Sequence, residues 1–163
     1  MEEYWDVYDK NRVFQNKTIR RGDTFAEGEY YVCCEVWIVN SKGEMLLTQR
    51  HPNKKAGGLW EFIGGGVLAG ETTAQAALRE VKEEIGISLT VRELSLFGMY
   101  QRLNYFMDIY LAKNDVNIEN IVLDTNETIN AKWVSMEELQ VMIEKQEIVR
   151  SVAQRFAMYK DEL

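Results

Sequence analysis

The sequence predicts an α/β fold in which a mixed β-sheet lies between helical layers, with a β-hairpin extension at the N-terminus. Three observations predict it. Extended apolar runs bounded by turn residues recur as far as Val134. A run with helical spacing and clear start and stop signals interrupts them at residues 72–86, and two further helical runs follow the last strand. Strands broken by helices in this order bury a sheet between helices on both of its faces.

Trp5 to Ile19 reads as a hairpin within an extension of residues 1–28. Tyr30 to Val39 is a strong strand, and Asn40-Ser41-Lys42-Gly43 turns the chain into another from Glu44 to Gln49. Leu59 to Ile63 is a short strand leading into Gly64-Gly65-Gly66, which read as a loop. A helix starts near Thr72 or Thr73 and runs through Ala74, Ala76, Ala77, Leu78 and Val81 to Ile85, with mostly strong helix formers and no proline. A hydroxyl residue caps its start and Gly86 stops it. Strands follow near Leu89 to Leu94, Leu96 to Tyr100, Tyr105 to Ala112 and Ala131 to Val134. Ser135-Met136-Glu137-Glu138 is a capping box that opens a helix to about Glu144. Ile148, Val152, Phe156 and Tyr159 mark the apolar face of a last helix.

Composition bounds the function. With 163 residues, one proline and 46% apolar residues, the chain reads as a single domain, 1–163, with a substantial core. No run approaches the length that spans a membrane, and the acidic, aromatic N-terminus carries no apolar signal segment, so a cytoplasmic protein is expected. Cys33 and Cys34 are adjacent and make no disulfide framework. Lys160-Asp161-Glu162-Leu163 spells an endoplasmic-reticulum retention address, which goes unread without an entry signal and is taken here as the polar end of the last helix. A net charge of −7 argues against a nucleic-acid polymer as partner, because that affinity comes from many Lys and Arg contacts; small phosphorylated substrates stay compatible. The N-terminal hairpin is the element available for a homodimer.

The chemistry concentrates between Gly65 and Ile87. Gly65 is followed after five residues by Glu71, and after seven more by Arg79-Glu80-Val81; Glu83-Glu84 and Gly86-Ile87 each follow after one. At 3.6 residues per turn, Glu80, Glu83 and Glu84 project from one face of the helix. Carboxylates so close raise one another's pKa unless a cation neutralises them, which points to a hard divalent ion: Mg2+, with Mn2+ as substitute. An acidic run alone would read as a solvated face. Arg79 stands one turn before Glu83 and within reach of Glu71, a pairing that would orient the carboxylates. The glycines let backbone approach phosphate oxygens or offer a carbonyl to a metal.

With every fixed position filled, residues 65–87 resemble the Nudix box. Trp5-Asp6-Val7-Tyr8-Asp9, Arg20-Arg21-Gly22-Asp23, Glu27-Gly28-Glu29-Tyr30, Val36-Trp37-Ile38, Gln49-Arg50 and Pro52-Asn53-Lys54-Lys55 resemble the Nudix branch related to isopentenyl diphosphate isomerase. The resemblance implies the Nudix α/β/α sandwich and attack of a metal-activated water on a phosphorus of a nucleoside-diphosphate-like or other organic diphosphate. It makes Glu80, Glu83 and Glu84 metal ligands with the Gly65 carbonyl as a further one, Glu83 or Glu80 the acceptor of the water's proton, Arg79 and Glu71 the orienting pair, and Glu127 a second candidate base. An isomerase is the alternative, but it needs a cysteine in the strand that reads Trp60-Glu61-Phe62-Ile63-Gly64 here. Cys33 and Cys34 lie on an earlier strand and face opposite ways, and Glu35 stands where the branch has a histidine. A ligand sensor without turnover is the other alternative; such proteins usually lose box glutamates, and none is lost.

Arg50, Lys54 and Lys55 form a basic cluster suited to substrate phosphates. His51, in the same loop, reads as an ordinary surface histidine. Trp60 is assigned to the substrate; with Trp37, Tyr100, Tyr105 and Phe106 it has the aromatic surface to stack a base or cover a prenyl chain, although at strand positions such residues more often fill a core. No residue outside the box selects among candidate diphosphates.

Overall fold

The computed structural model describes residues 2–163. A hairpin of β1 (Tyr4–Tyr8) and β2 (Phe14–Arg20) precedes β3 (Tyr31–Val39), β4 (Met45–Arg50), β5 (Trp60–Glu61) and β6 (Ile63–Gly66). Then come α1 (Thr73–Ile85), β7 (Leu94–Arg102), β8 (Tyr105–Lys113), β9 (Thr128–Val134), α2 (Met136–Glu144) and α3 (Arg150–Tyr159). Strands β3 to β9 form one seven-stranded sheet. It is mixed: β3 and β8 run parallel from Tyr31 opposite Tyr105 to Val39 opposite Lys113, while β6, β4, β9, β5 and β7 pair antiparallel with their neighbours. No helix among the described residues is long and apolar enough to cross a membrane.

Two cores lie on the sheet's two faces, which makes the α/β/α sandwich. The two-residue period of β3 divides its side chains between them. Val32, Cys34, Val36 and Ile38 pack with Ala76, Ala77, Val81 and Ile85 of α1. Trp37, on the other face, packs with Leu139 and Met142 of α2 and Val152 and Phe156 of α3. Burying that apolar surface on both sides, at about 25 cal/mol per Å², is what fixes the helices to the sheet.

The expected strand over Leu89 to Leu94 does not form. The Glu93 carboxylate takes the Thr90 backbone N–H at 2.7 Å and its hydroxyl at 2.8 Å, and the resulting box closes a 3-10 turn over Val91–Glu93. β7 starts only at Leu94 and runs unbroken to Arg102 through a bulge between Leu96 and Gly98. Gly64-Gly65-Gly66, expected as a loop, belong to β6 and pair with Glu35, Cys34 and Cys33 of β3. A Cβ at Gly64 would come within 2.3 Å of the Cys34 carbonyl oxygen, so the strands approach closer there than any side chain allows. The last four residues follow α3 as a 3-10 turn over Lys160–Glu162 and a final exposed Leu163.

One ion pair crosses the second core. Glu35 and Arg155 are 3% and 4% exposed, which identifies the pair as buried; Arg155 Nε donates to both Glu35 oxygens at 3.2 Å, its Nη2 makes a further short contact, and the Trp37 indole N–H donates to the same carboxylate at 2.8 Å. Removing one partner of such a pair strands the other charge. Arg155→Leu is therefore expected to cost about 3–5 kcal/mol in urea unfolding, and the Glu35→Leu/Arg155→Leu double variant to recover much of it. A single-variant cost below about 1 kcal/mol would contradict a buried, charged pair.

Candidate active site

The phase of α1 is set at both ends. Thr72 and Gln75 form a capping box, the Thr72 hydroxyl accepting from the Gln75 N–H at 3.2 Å while the Gln75 side chain accepts from the Thr72 N–H at 2.8 Å. Gly86 closes the helix in the left-handed conformation, φ 74°, which glycine reaches without steric cost. Between these caps the apolar residues face the sheet and the acidic ones face its edge.

Arg79 gathers that edge. Its Nε and Nη2 donate to the two Glu71 oxygens at 2.9 and 3.0 Å, its Nη1 to Glu80 at 2.7 Å and Glu83 at 3.1 Å, and its Nη2 also to the Gly66 carbonyl at 2.9 Å. Burial works against the charge, yet the Glu71 hydrogen bonds and the Glu80 charge outweigh it and raise the guanidinium's pKa. One arginine thus joins the segment before the helix, the helix face and strand β6.

Glu84 is held by the sheet instead. It is buried, accepts the Gly64 N–H at 3.1 Å, and has the Thr48 and Thr128 hydroxyls at 3.4 and 3.5 Å, long for hydrogen bonds. Burial pushes its carboxyl up to about 8, and the charges of Glu61 and Glu80 push in the same direction. Burial also raises Glu80, against the pull of Arg79. Glu83 is the open member of the set, its side chain 56% exposed.

These residues line a cleft of about 540 Å³. Glu80, Glu83, Glu84, Arg79 and Gly65 form one side; Arg50 at the end of β4, Lys54 in the loop after it and Glu127 just before β9 complete the lining. Arg50 pairs with Glu61 at 2.6 Å, and Lys54 is in direct contact with Glu127. Glu71 lies behind Arg79. Lys55 and Trp60 are not brought in: Lys55 is exposed and offers only its carbonyl, to Arg50 Nε at 2.8 Å. The Trp60 ring packs on the second core beneath Lys132, whose Nζ sits 4.9 Å from the ring centroid. Trp37 and Phe106 are buried, as their strand positions suggested, and His51 accepts only its loop's Asn53 N–H, at 3.2 Å.

Three lining residues were not singled out as site residues from the sequence: Glu3 and Arg21 of the hairpin and Asp124. Asp124 carried a local signal, because its carboxylate accepts the Asn126 N–H at 3.0 Å in a turn just before Glu127. Glu3 and Arg21 reach the cleft only through long-range docking of the hairpin.

Among the described residues no three Asp, Glu, His or Cys side chains already converge on one point at metal-ligating distance. The arrangement shows why: Arg79 draws Glu80 and Glu83 to itself, and Glu84 turns to Gly64. The donor set nonetheless fits a hard divalent ion, being all oxygen, crowded and under-neutralised, with two carboxyls raised by burial. Gly65 belongs to the fit, since a Cβ there would lie 2.2 Å from Glu80 Oε1 and displace that carboxylate.

Comparison with known proteins agrees with this geometry. The NUDIX domain family profile matches residues 32–156. An uncharacterised Nudix hydrolase of Listeria innocua is 34% identical over 144 residues, covering 87% of this chain and 85% of its own. A putative 8-oxo-dGTP diphosphatase of Bacillus subtilis is 32% identical over 100 residues, 61% of this chain and 63% of its own. A crystal structure from Deinococcus radiodurans superposes with a TM-score of 0.80 over 96% of this chain and 99% of that one, at 21% identity, a likeness of fold. The chain that carries this helix, its arginine hub and its acidic cleft belongs to the Nudix hydrolase family.

Proposed function

We propose that this Nudix domain is a Mg2+-dependent pyrophosphohydrolase, with Mn2+ able to substitute, that splits the phosphoanhydride of a nucleoside-diphosphate-like or other small organic diphosphate. The observation that carries the reading is the cleft itself, where Glu80, Glu83 and the buried, pKa-raised Glu84 face Arg50 and Lys54 across about 540 Å³. Membership in a family of phosphoanhydride hydrolases that generally use divalent metals supports it.

Glu80, Glu83 and Glu84, with the Gly65 carbonyl, would hold the divalent ion, which when bound neutralises phosphate charge and acidifies water. Arg50 and Lys54 are the side chains to grip the substrate's phosphates. Arg79, anchored by Glu71, keeps the helix face and β6 in one geometry. Glu83, exposed and, among the described residues, bound only through Arg79 Nη1, is the carboxylate best placed to take a proton from the attacking water. The water oxygen then bonds to phosphorus, the bridging P–O bond breaks, and its electron pair leaves with the departing phosphate. Glu127 is the second candidate base, held by Lys54.

A phosphate-release screen across organic diphosphates with Mg2+ tests the reading. The native protein should turn over at least one, chelation of divalent ions should abolish turnover until Mg2+ or Mn2+ is returned, and Glu83→Gln should slow it roughly 10²- to 10⁴-fold. Undiminished turnover in both Glu83→Gln and Glu84→Gln would remove the box from the mechanism.

Glu84 also links stability to pH. Its folded-state pKa of about 8 lies above the ordinary 4.5, so the folded chain holds this proton more tightly than the unfolded one. That contribution is complete below pH 4.5 and is lost as pH rises through 8. Without divalent ions, melting temperature should fall across this window, and Glu84→Gln should flatten the fall; equal slopes in the two proteins would contradict a buried, protonated Glu84.

A further inference from the structure

The N-terminal hairpin is built into the cleft. β1 lies along the segment that joins β6 to α1: the Tyr4 carbonyl accepts the Ala69 N–H at 2.8 Å, and the Asp6 carboxylate accepts the Gly70 N–H at 2.9 Å. Trp5 rests on Gly66, where a Cβ would come within 2.6 Å of the indole nitrogen, and stacks on Tyr31 with ring centroids 4.8 Å apart. At the hairpin's turn Arg12 grips the buried Asp108 with two hydrogen bonds of 2.7 and 2.6 Å. This docking holds the turn after β2 beside the carboxylates, and its first residue, Arg21, lines the cleft.

Arg21 differs from the other arginines there. Arg79 is engaged by three carboxylates and a carbonyl, and Arg50 by Glu61 and the Lys55 carbonyl. Arg21 is 56% exposed and, among the described residues, has one side-chain partner, the 39%-exposed Glu3 at 2.5 Å. An exposed pair of this kind is weakly held in water. A diphosphate offers the guanidinium fork a partner with at least two negative charges and more acceptor oxygens than a carboxylate. Among the described residues the lining holds no aromatic ring and no large apolar side chain, so charge contacts to phosphates are what the cleft has to grip with.

We propose that Arg21 is a substrate-binding residue supplied from outside the box, which leaves Glu3 to grip a phosphate of the diphosphate and makes the hairpin a wall of the active site. The inference rests on the pyrophosphohydrolase reading for its ligand and on the docked hairpin for its geometry.

Steady-state kinetics on the best substrate of the screen, with melting temperature as a check on folding, tests it. Arg21→Gln should raise KM roughly tenfold with kcat changed less than about threefold, the size expected for one hydrogen-bonded charge. Arg21→Lys should restore part of the loss, and Glu3→Gln should lower KM by releasing the guanidinium. An unchanged KM in Arg21→Gln, with the native protein active, overturns the proposal and leaves the hydrolase reading standing. A rise in KM for Glu3→Gln equal to that for Arg21→Gln overturns it too, since the pair would then be only a structural tie. If the native protein hydrolyses nothing in the screen, thermal protection by methylenediphosphonate decides: protection lost in Arg21→Gln supports the proposal, while equal protection in both proteins, or none in either, overturns it.

Discussion

The guanidinium of Arg79 is the interaction on which the site depends. It reaches Glu71 before the helix, Glu80 and Glu83 on its face, and the Gly66 carbonyl in the adjoining strand. A planar fork of five donors can hold that many acceptors in fixed directions, which a lysine ammonium cannot. It still supplies one positive charge against three carboxylates, with Glu84 buried close by, and the cleft is left with negative charge that its own residues do not cancel.

The rest of the molecule maintains that imbalance. Ala76, Ala77, Val81 and Ile85 bury one face of α1 against β3, and the caps at Thr72 and Gly86 prevent the helix from turning out of phase. The glycines of β6 let the strand lie close enough for Glu80 to rest on Gly65 and for Gly64 to donate to Glu84. Holding Glu84 in so poorly solvated a place costs folding free energy, and the structure tolerates it because two cores support the sheet from both faces. Local cost at a site with a chemical purpose is the pattern natural proteins show.

What could be read from the sequence follows the range of the forces involved. Helix α1 was legible because its caps, its apolar spacing and its acidic face are all local signals, and the approach of Arg79 to Glu83 followed from one turn of geometry. The hairpin, β3, β4, β8 and α2 were legible for the same reason. Leu89 to Leu94 misled because its apolar residues resemble a strand, whereas the short-range Thr90–Glu93 bonds close a turn first. Gly64 to Gly66 misled because glycine reads as loop, and only the close approach of β3 makes it a strand. Trp60 was assigned to the substrate by residue type, and the packing of its ring beneath Lys132 could not be seen without the neighbouring strands. Glu3 and Arg21 stayed hidden because docking of the hairpin, and not sequence proximity, carries them to the cleft.

The proposed chemistry requires a divalent cation to neutralise the carboxylates of α1. Isothermal titration of the purified, chelator-treated protein with Mg2+ or Mn2+ at neutral pH tests it most directly. Saturable uptake is expected, accompanied by proton release because Glu84 must ionise to bind, with much weaker uptake in Glu84→Gln. Absence of binding, even beside a diphosphate analogue, would contradict it.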